Sequence, residues 1–293
     1  MSGTFDPRVT PARADLAAAS LRGKVEAGRF VEGVPRQVVQ DGARLTFSPR
    51  ADARLESQLI FGESFTVYED LDGWCWGQSA VDGYVGYVPT AALSTTVHKP
   101  THRVAARALH LYPGPDMKRP VLGRVSLGAT VRVVDIEGSF AQIASGEWLF
   151  AKHLVDLSFV NDDLVGTALK FLGTPYLWGG RSAEGLDCSA LLQLALGLAG
   201  VPAPRDSDLL ERRAGIAVPI VDGHDFANIE DGDMVFFPGH CGLFVHGWRF
   251  LHANAHDMEV SLHSFSDVID RADAADAGVT SIRRLEYAAA VAE

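Results

Sequence analysis

The sequence has little of three features that would place it in a special class of protein. Only three of its 293 residues are cysteine, Cys75, Cys188 and Cys241, and none of them forms a CxxC pair. Neither a disulfide framework nor a zinc motif is therefore expected. No run of about 18 apolar residues occurs, so no membrane-spanning helix is expected. Lys and Arg number 26 against 37 Asp and Glu, and this net charge of −11 argues against nucleic acid or an anionic membrane as a partner.

The beginning of the chain bears on location. Residues 1–24 contain no apolar segment of the kind found in secretory signal peptides, and they mix both signs of charge. Together with the sparse cysteines, this predicts a cytoplasmic location, while a trimmed mature form would have the same appearance.

Residues 1–43 differ in composition from the rest of the chain. They are rich in Ala, Arg and Asp, and the stretch from Ala12 to Arg29 predicts one or two short helices. We expect this segment to form an arm that packs on the remainder of the protein.

Short alternating segments separated by turns fill the region from about Arg44 to Leu157. Segments such as SFTVYED and ATVRVVDIE are typical of half-buried strands, and Asp-Gly, Pro-Gly and Ser-Gly pairs mark turns between them. The region also looks duplicated, because Gly62–Val67 is echoed by Gly128–Val133 at an offset of about 60 to 66 residues. Two copies of one small all-β unit are predicted, at 44–97 and 98–158.

The remaining residues, 159–293, change to an α+β pattern. Asp162 to Leu172 and Leu186 to Leu198 have helical periodicity, with Gly and Pro following each. The segments MVFFP, GLFVHG and RFLHA then predict consecutive antiparallel strands. A helix that carries a cysteine is thus followed by strands that carry histidines.

Cys188 follows a glycine-rich loop and lies at the start of the second of these helices. A helix N-terminus favours thiolate over thiol and offers N–H groups to an oxyanion. A lone cysteine is about as often a buried structural residue, so Cys188 by itself leaves both interpretations open.

Two histidines strengthen the catalytic interpretation. His240 begins one predicted strand and His252 lies near the end of the next, so a tight turn around His246 would bring them together. They would supply a base and a group that orients it. His246, His256 and His263 lack such a setting, and surface or packing roles are predicted for them. No carboxylate or thiolate falls at ligand spacing, so no metal and no other cofactor is predicted.

Six short motifs occur in the order found in the NlpC/P60 family of cell-wall cysteine peptidases, which have a papain-like fold. They are Gly173–Gly180, Asp187–Ser189, Arg205–Ser207, Gly232–Phe237, His240–Phe244 and Leu251–Ala253. The duplicated β unit resembles a pair of bacterial SH3 (SH3b) domains. The resemblance implies an α+β papain-like catalytic domain preceded by two small all-β SH3b barrels. The arrangement is similar to the branch of γ-D-glutamyl-L-diamino acid endopeptidases that recycle muropeptides.

The resemblance implies a role for each matching catalytic residue. Cys188 attacks the γ-D-glutamyl carbonyl, His240 takes the thiol proton and later protonates the leaving amine, and His252 orients His240. Substrate-binding roles are implied for Tyr176, Asp187, Ser189, Ser207, Glu63 and Tyr84.

These substrate-binding roles differ. Tyr176 is expected near the oxyanion, and Ser189 and Ser207 at the D-Glu portion of the peptide. Asp187 is expected to bind the free α-amine of L-Ala with help from Glu63, since an ammonium in a closed cleft needs carboxylate partners. Tyr84, like Glu63, is expected to close one end of that cleft. An ordinary surface glutamate on a turn explains Glu63 equally well.

Two positions beside the nucleophile and the base depart from the family pattern. Ala190 replaces a glycine, and Cys241 follows His240 where a β-branched residue is usual. Cys241 could form an inactivating disulfide with Cys188 under oxidation. Alternation along the strand, however, predicts that its side chain points away from Cys188.

The sequence therefore predicts a cysteine endopeptidase that hydrolyses the γ-D-glutamyl–L-diamino acid bond of free stem peptides, in murein peptide recycling. The expected partner is a muropeptide with a free N-terminal L-Ala, with no nucleic acid and no membrane. Two alternatives remain open: a cell-wall-binding SH3b protein, and a cysteine amidase or acyltransferase that acts on intact peptidoglycan with the same Cys/His pair.

Overall fold

The computed structural model describes residues 5–220 and 226–286. The chain divides into two compact units. Unit 1 is Met1–Ser158 with Trp178–Ala183, and unit 2 is Phe159–Leu177 with Glu184–Glu293. In the described part of the chain, no helix has the length and apolar character needed to cross a membrane.

Unit 1 consists of strands and short 3-10 turns. Its strands are β1 (Leu16–Ala18), β2 (Arg29–Val31), β3 (Val34–Val38), β4 (Ala43–Thr46), β5 (Leu55–Leu59), β6 (Ser64–Leu71), β7 (Trp74–Ser79), β8 (Val85–Pro89), β9 (Leu93–Ser94), β10 (His102–Val104), β11 (Ala108–Leu111), β12 (Gly123–Ser126), β13 (Thr130–Val131), β14 (Val133–Glu137), β15 (Phe140–Ile143), β16 (Trp148–Phe150), β17 (Leu154–Asp156) and β18 (Arg181–Ser182). Its 3-10 helices are Ala19–Leu21, Thr90–Ala92 and Ala151–His153.

The first part of unit 1 forms a sheet with the order β5-β4-β8-β7-β6-β3-β9. Its strands alternate as half-buried antiparallel strands do: Phe65 and Val67 of β6 are buried, whereas Ser64 is exposed. The inward-facing side chains, among them Leu45, form one apolar cluster. The strands predicted at SFTVYED and its neighbours are confirmed.

The second part forms small sheets with the orders β13-β10-β17, β11-β12 and β14-β15-β16. It repeats features of the first part. Gly62 and Gly128 both have positive φ, at 83° and 90°, and precede β6 and β13. The 3-10 helices Thr90–Ala92 and Ala151–His153 likewise precede β9 and β17.

No α-helix forms between Ala12 and Arg29, where the helical structure is limited to the 3-10 helix Ala19–Leu21. Leu16–Ala18 instead pairs in parallel with Arg29–Val31, and Gly23 interrupts the segment with a φ of 78°. All three residues of β1 are buried, so packing of an extended segment overrides the helix propensity of its alanines. Strand β3 also lies within the predicted arm 1–43, where it pairs with β6.

Unit 2 has mixed secondary structure. Its helices are α1 (Leu164–Leu169), α2 (Cys188–Leu198), α3 (Ser207–Arg213) and α4 (Phe265–Asp273), and its strands are β19 (Gly185–Leu186), β20 (Ile216–Val218), β21 (Met234–Phe237), β22 (His240–Val245), β23 (Arg249–Asn254), β24 (Glu259–Ser264) and β25 (Ser281–Arg284). The main sheet has the order β20-β25-β21-β22-β23-β24. The predicted antiparallel run β21, β22 and β23 is confirmed, whereas α3 and α4 were not predicted.

Helix α2 positions the cysteine predicted as the nucleophile. The helix is buried on nearly all sides, as expected for a helix that is apolar all round. It packs against β22 and β23 of the main sheet. The position of its first residue, Cys188, is therefore determined by packing in the core and not by a surface loop.

We expect Gly62→Ala to destabilise the protein far more than Gly73→Ala. Both glycines have positive φ, 83° and 81°, so both substitutions carry a strain of about 1 kcal/mol. A methyl group at position 62 would also overlap the carbonyl oxygen of Thr130, whereas nothing lies within 4 Å of one at position 73. The free energy of unfolding, measured by urea denaturation, should fall by roughly 3 kcal/mol or more for Gly62→Ala. Equal losses for the two variants would contradict this packing.

Candidate active site

The candidate nucleophile lies at a helix start fixed by a capping carboxylate. Asp187 has an extended backbone and accepts a hydrogen bond from the backbone N–H of Ala190 at 2.9 Å. This cap makes Cys188 the first helical residue, at the positive end of the helix dipole. The Cys188 side chain is buried.

The Asp187 carboxylate has a cation partner that the sequence did not indicate. Arg205 donates to it through Nη1 at 2.9 Å and Nη2 at 2.7 Å, and Arg205 is 1% exposed. The hydroxyl of Ser189 accepts from Arg205 at 2.9 Å and donates to Asp187 at 3.1 Å. Asp187 and Ser189 thus form a buried network beneath the nucleophile. Their substrate-binding roles stay predictions.

The prediction that Cys241 points away from Cys188 is wrong. The two thiols are hydrogen bonded, and Cys241 is fully buried. The strand does alternate, but α2 covers the face of β22 that carries Cys241. The sequence alone did not specify which face the helix covers.

The two sulfur atoms have opposite ionisation tendencies. The hydrogen bond from Cys241, together with the hydrogen bond and positive charge of His240, lowers the pKa of Cys188 to about 5, against the opposing effects of burial and of Asp187. Burial and the adjacent Cys188 raise the pKa of Cys241 well above its usual value. Cys241 therefore stays a thiol and donates S–H to the Cys188 thiolate.

The predicted proximity of His240 and His252 is confirmed. Nε2 of His240 lies 2.7 Å from Nδ1 of His252, because β22 and β23 form a hairpin. His252 is 4% exposed. Burial, helped by the charge of His240, lowers the pKa of His252 to about 2. A ring that stays neutral can accept the N–H of a protonated His240. The catalytic roles themselves stay predictions.

The prediction of a surface or packing role for His263 is wrong. Its Nδ1 lies 3.1 Å from Nε2 of His252, so it extends the row of imidazoles. The spacing His252 to His263 in neighbouring strands was a signal, but it required β24 to be recognised as the next strand.

Tyr176 and Ser207 both belong to unit 2. The backbone N–H of Tyr176 donates to the carbonyl of Met258 at 2.8 Å. Burial, together with Cys188 and Asp187, raises the pKa of its phenol to about 12, so it remains an O–H donor. Ser207 is half-buried at the start of α3. The substrate-binding roles of both residues stay predictions.

Glu63 and Tyr84 belong to unit 1. Glu63 is 6% exposed, and Arg181 donates to its two carboxylate oxygens at 3.1 and 2.7 Å. The interpretation of Glu63 as a surface glutamate is therefore wrong. Tyr84 is buried in the apolar cluster of the first sheet. Their predicted contributions to substrate binding stay predictions.

The residues of unit 2 together suit acyl transfer. A buried thiolate lies at a helix N-terminus, whose N–H groups can donate to a developing oxyanion. A histidine pair adjoins it, supplying a base and its orienting partner. Among residues 5–220 and 226–286, no group of three or more His, Cys, Asp or Glu side chains is arranged to hold a metal ion.

Two segments of the chain match models of known protein families. Residues 173–273 match the model of the NlpC/P60 family. Residues 45–93 match that of the SH3 domain of bacterial dipeptidyl-peptidases.

Two curated relatives are similar over most of their length. Dipeptidyl-peptidase 6 of Lysinibacillus sphaericus is 27% identical over 249 residues, which cover 77% of this chain and 89% of that protein. The γ-D-glutamyl-L-lysine dipeptidyl-peptidase of Bacillus subtilis (strain 168) is 25% identical over 259 residues, covering 77% and 82%.

A solved structure has a similar fold. The crystal structure of an NlpC/P60 family protein from Bacillus cereus aligns with a TM-score of 0.70, covering 85% of this chain and 99% of that one. At 21% identity, the likeness shows the fold alone.

We expect Cys241→Val to raise the pKa of Cys188 above its value of about 5. The valine fills the space without offering an S–H donor, so the buried thiolate loses its leading stabilising partner. The rate of alkylation of Cys188 by iodoacetamide as a function of pH measures this pKa. Cys75→Val, which replaces another buried cysteine, should leave the profile unchanged. A Cys241→Val profile that superimposes on that of the wild type would show that the S–H contact has no such effect.

Proposed function

Because the chain carries an NlpC/P60 peptidase domain preceded by a bacterial SH3 domain, we propose that this peptidase removes the dipeptide L-Ala-γ-D-Glu from free stem peptides of peptidoglycan. The bond cleaved is the one between γ-D-Glu and the L-diamino acid. One observation carries the proposal: a buried Cys188 with a pKa of about 5 beside His240, whose ring is held by His252.

The relatives support the substrate class. Two of them are named γ-D-glutamyl-L-lysine dipeptidyl-peptidases, and another is named a dipeptidyl-peptidase. An enzyme that releases dipeptides must measure the distance from the amino terminus, so recognition of a free ammonium belongs to this proposal. Asp187 of unit 2 is its proposed partner. Asp187 already pairs with Arg205, so an ammonium would share the carboxylate rather than neutralise it alone.

The proposed chemistry follows from the geometry of unit 2. The Cys188 thiolate adds to the γ-D-glutamyl carbonyl, and N–H groups of the α2 start with the phenol of Tyr176 donate to the oxyanion. His240 then protonates the leaving amine. Water hydrolyses the thioester with His240 as base, which restores the Cys188 thiolate and the protonated His240.

Three finer points form part of the same proposal. Residues 98–158 make a second SH3b barrel, which the recurring positive-φ glycines and 3-10 helices support.

The released dipeptide enters murein recycling, and the protein works in the cytoplasm. Immunodetection in fractionated cells checks the location, since recovery of the protein with the wall or the medium would contradict it.

We expect the purified protein to release L-Ala-D-Glu from L-Ala-γ-D-Glu-L-Lys or from its diaminopimelate counterpart. Mass spectrometry of the products measures the release. Cys188→Ala should abolish it because the nucleophile is lost, and Cys75→Ala serves as a matched control that keeps full activity. Release that survives Cys188→Ala would refute the proposal.

Acetylation of the L-Ala amine tests the recognition of the amino terminus. The blocked peptide should be cleaved at least about 100-fold more slowly, since a site built for an ammonium leaves its carboxylates unpaired when the charge is absent. Equal rates on blocked and free peptides, or release from purified sacculi, would instead favour an enzyme that acts on intact peptidoglycan.

The pH profile tests the thiolate. The pKa of Cys188 is about 5, and only the thiolate attacks. We expect kcat/KM to hold its value as pH falls from 7 and to drop about tenfold per pH unit below about pH 5. An acid limb near the ordinary thiol pKa of about 8.5 would contradict a stabilised thiolate.

A further inference from the structure

The hydrogen bonds of the candidate site continue past His252. Nε2 of His252 lies 3.1 Å from Nδ1 of His263, and Nε2 of His263 lies 2.7 Å from Oδ2 of Asp257. The rings of His252 and His263 meet edge to face, with centroids 5.2 Å apart. A row of three imidazoles thus runs from the nucleophile to a carboxylate.

A guanidinium from another element fixes the direction of this row. Arg271, on α4, places Nη2 3.2 Å from the same Nδ1 of His263. Because a guanidinium can only donate, Nδ1 of His263 is an acceptor and carries no proton. The ring proton of His263 is then on Nε2, where it is donated to Asp257.

The proton position on His263 also determines the proton positions on His252 and on His240. Since Nδ1 of His263 accepts, the hydrogen between the two rings belongs to Nε2 of His252. His252 is buried and neutral, so its Nδ1 has no proton and accepts from Nε2–H of His240. Nδ1 of His240 is left for its hydrogen bond with Cys188.

The carboxylate at the end of the row is held in its charged form. The hydroxyl of Ser261 donates to Oδ2 of Asp257 at 2.8 Å. This hydrogen bond is the largest of the effects that lower the pKa of Asp257, and it outweighs the opposing desolvation. The backbone N–H of Asp257 is in turn donated to Asn254 at 2.9 Å.

We propose that His263, held between Arg271 and Asp257, is a positioning residue that fixes the tautomer of His252 and thereby the orientation of His240. It acts only through these rings. The inference rests on the proposed cysteine peptidase chemistry but is independent of which peptide is cleaved.

Loss of the acceptor at position 263 has a defined consequence. His252 can then carry its single proton on Nδ1, which forces Nε2 of His240 to accept. The protonated form of His240 loses its partner, so the Cys188 thiolate loses the cation that stabilises it. The remaining groups around the thiol are Cys241, which favours the thiolate, and Asp187, which opposes it. The charge of Asp187 is balanced by Arg205, and the phenol of Tyr176 is neutral.

The test compares two substitutions of His263. His263→Leu offers no acceptor, and we expect kcat to fall about 10- to 100-fold, the range for loss of a partner that orients an imidazole. KM should change little, and the acid limb of kcat/KM should move to higher pH.

His263→Gln keeps a carbonyl oxygen that can accept from His252, so it should retain most of the activity and the wild-type acid limb. His246→Leu, in the exposed turn after β22, is the matched control.

Two measurements need no peptide substrate, so they separate this inference from the proposed function. Nitrogen NMR of the histidine rings should show the Nε2–H tautomer for both His252 and His263. The iodoacetamide profile of Cys188 should shift to higher pH in His263→Leu. A proton on Nδ1 of His263, or an unshifted profile in folded His263→Leu, would overturn the proposal.

His263→Phe provides a second variant if His263→Leu does not fold by circular dichroism. Its ring fills the space of the imidazole but offers no acceptor to Nε2 of His252. We expect the same loss of kcat and the same upward shift of the acid limb. Wild-type values for both quantities in folded His263→Phe would also overturn the proposal.

Discussion

An ionised thiol buried at the start of α2 is the constraint on which the arrangement of unit 2 depends. A charge taken out of water must be compensated by nearby partners, or the group becomes neutral instead. Cys188 has such partners in the S–H of Cys241, the ring of His240 and the positive end of the helix. Cys241 and His240 are adjacent at the start of β22, whereas the positive helix end belongs to α2, so α2 must pack on β22 to bring them together.

The carboxylate next to the nucleophile would work against this arrangement if it stood alone. Asp187 is needed as the helix cap, an interaction typically worth about 1 kcal/mol, yet its negative charge disfavours the thiolate. Arg205 resolves the conflict by pairing with it in a bidentate geometry. Removing one member of such a buried pair typically costs roughly 3–5 kcal/mol. Arg205 is therefore needed to compensate the charge of Asp187. It affects the Cys188 thiolate only through Asp187.

Local patterns were enough to predict the order of elements and the central pair of the site. His240 and His252 are twelve positions apart in one hairpin, so strand periodicity and one turn signal determined their proximity. The helix at Cys188 was equally local, because its cap, its apolar run and its terminating glycine are all adjacent in sequence. No α-helix forms near Ala12 because burial against other strands, which is not local, outweighs helix propensity.

The partners that were missed are all chosen by tertiary structure. Arg181 and Glu63 are 118 positions apart in sequence, and no periodicity links two such residues. The direction of Cys241 depended on which face of β22 the helix covers. The setting of His263 depended on β24 and on Arg271 of α4, a helix that its pattern did not reveal. In the sequence, these side chains cannot be distinguished from ordinary charged or packing residues, because their neighbours are determined by the tertiary structure.

The protonation of His252 decides what the row of imidazoles can do. Burial lowers its pKa to about 2, against an ordinary value of 6.5, so a proton is strongly disfavoured on this ring. A proton taken by His240 therefore stays on His240 until the leaving amine accepts it, rather than passing along the row to Asp257. The row acts by orientation, since each ring has one donor and one acceptor, and fixing the last ring fixes the first. This is the behaviour expected of an orienting carboxylate in a catalytic triad, which holds the base in one tautomer without receiving its proton.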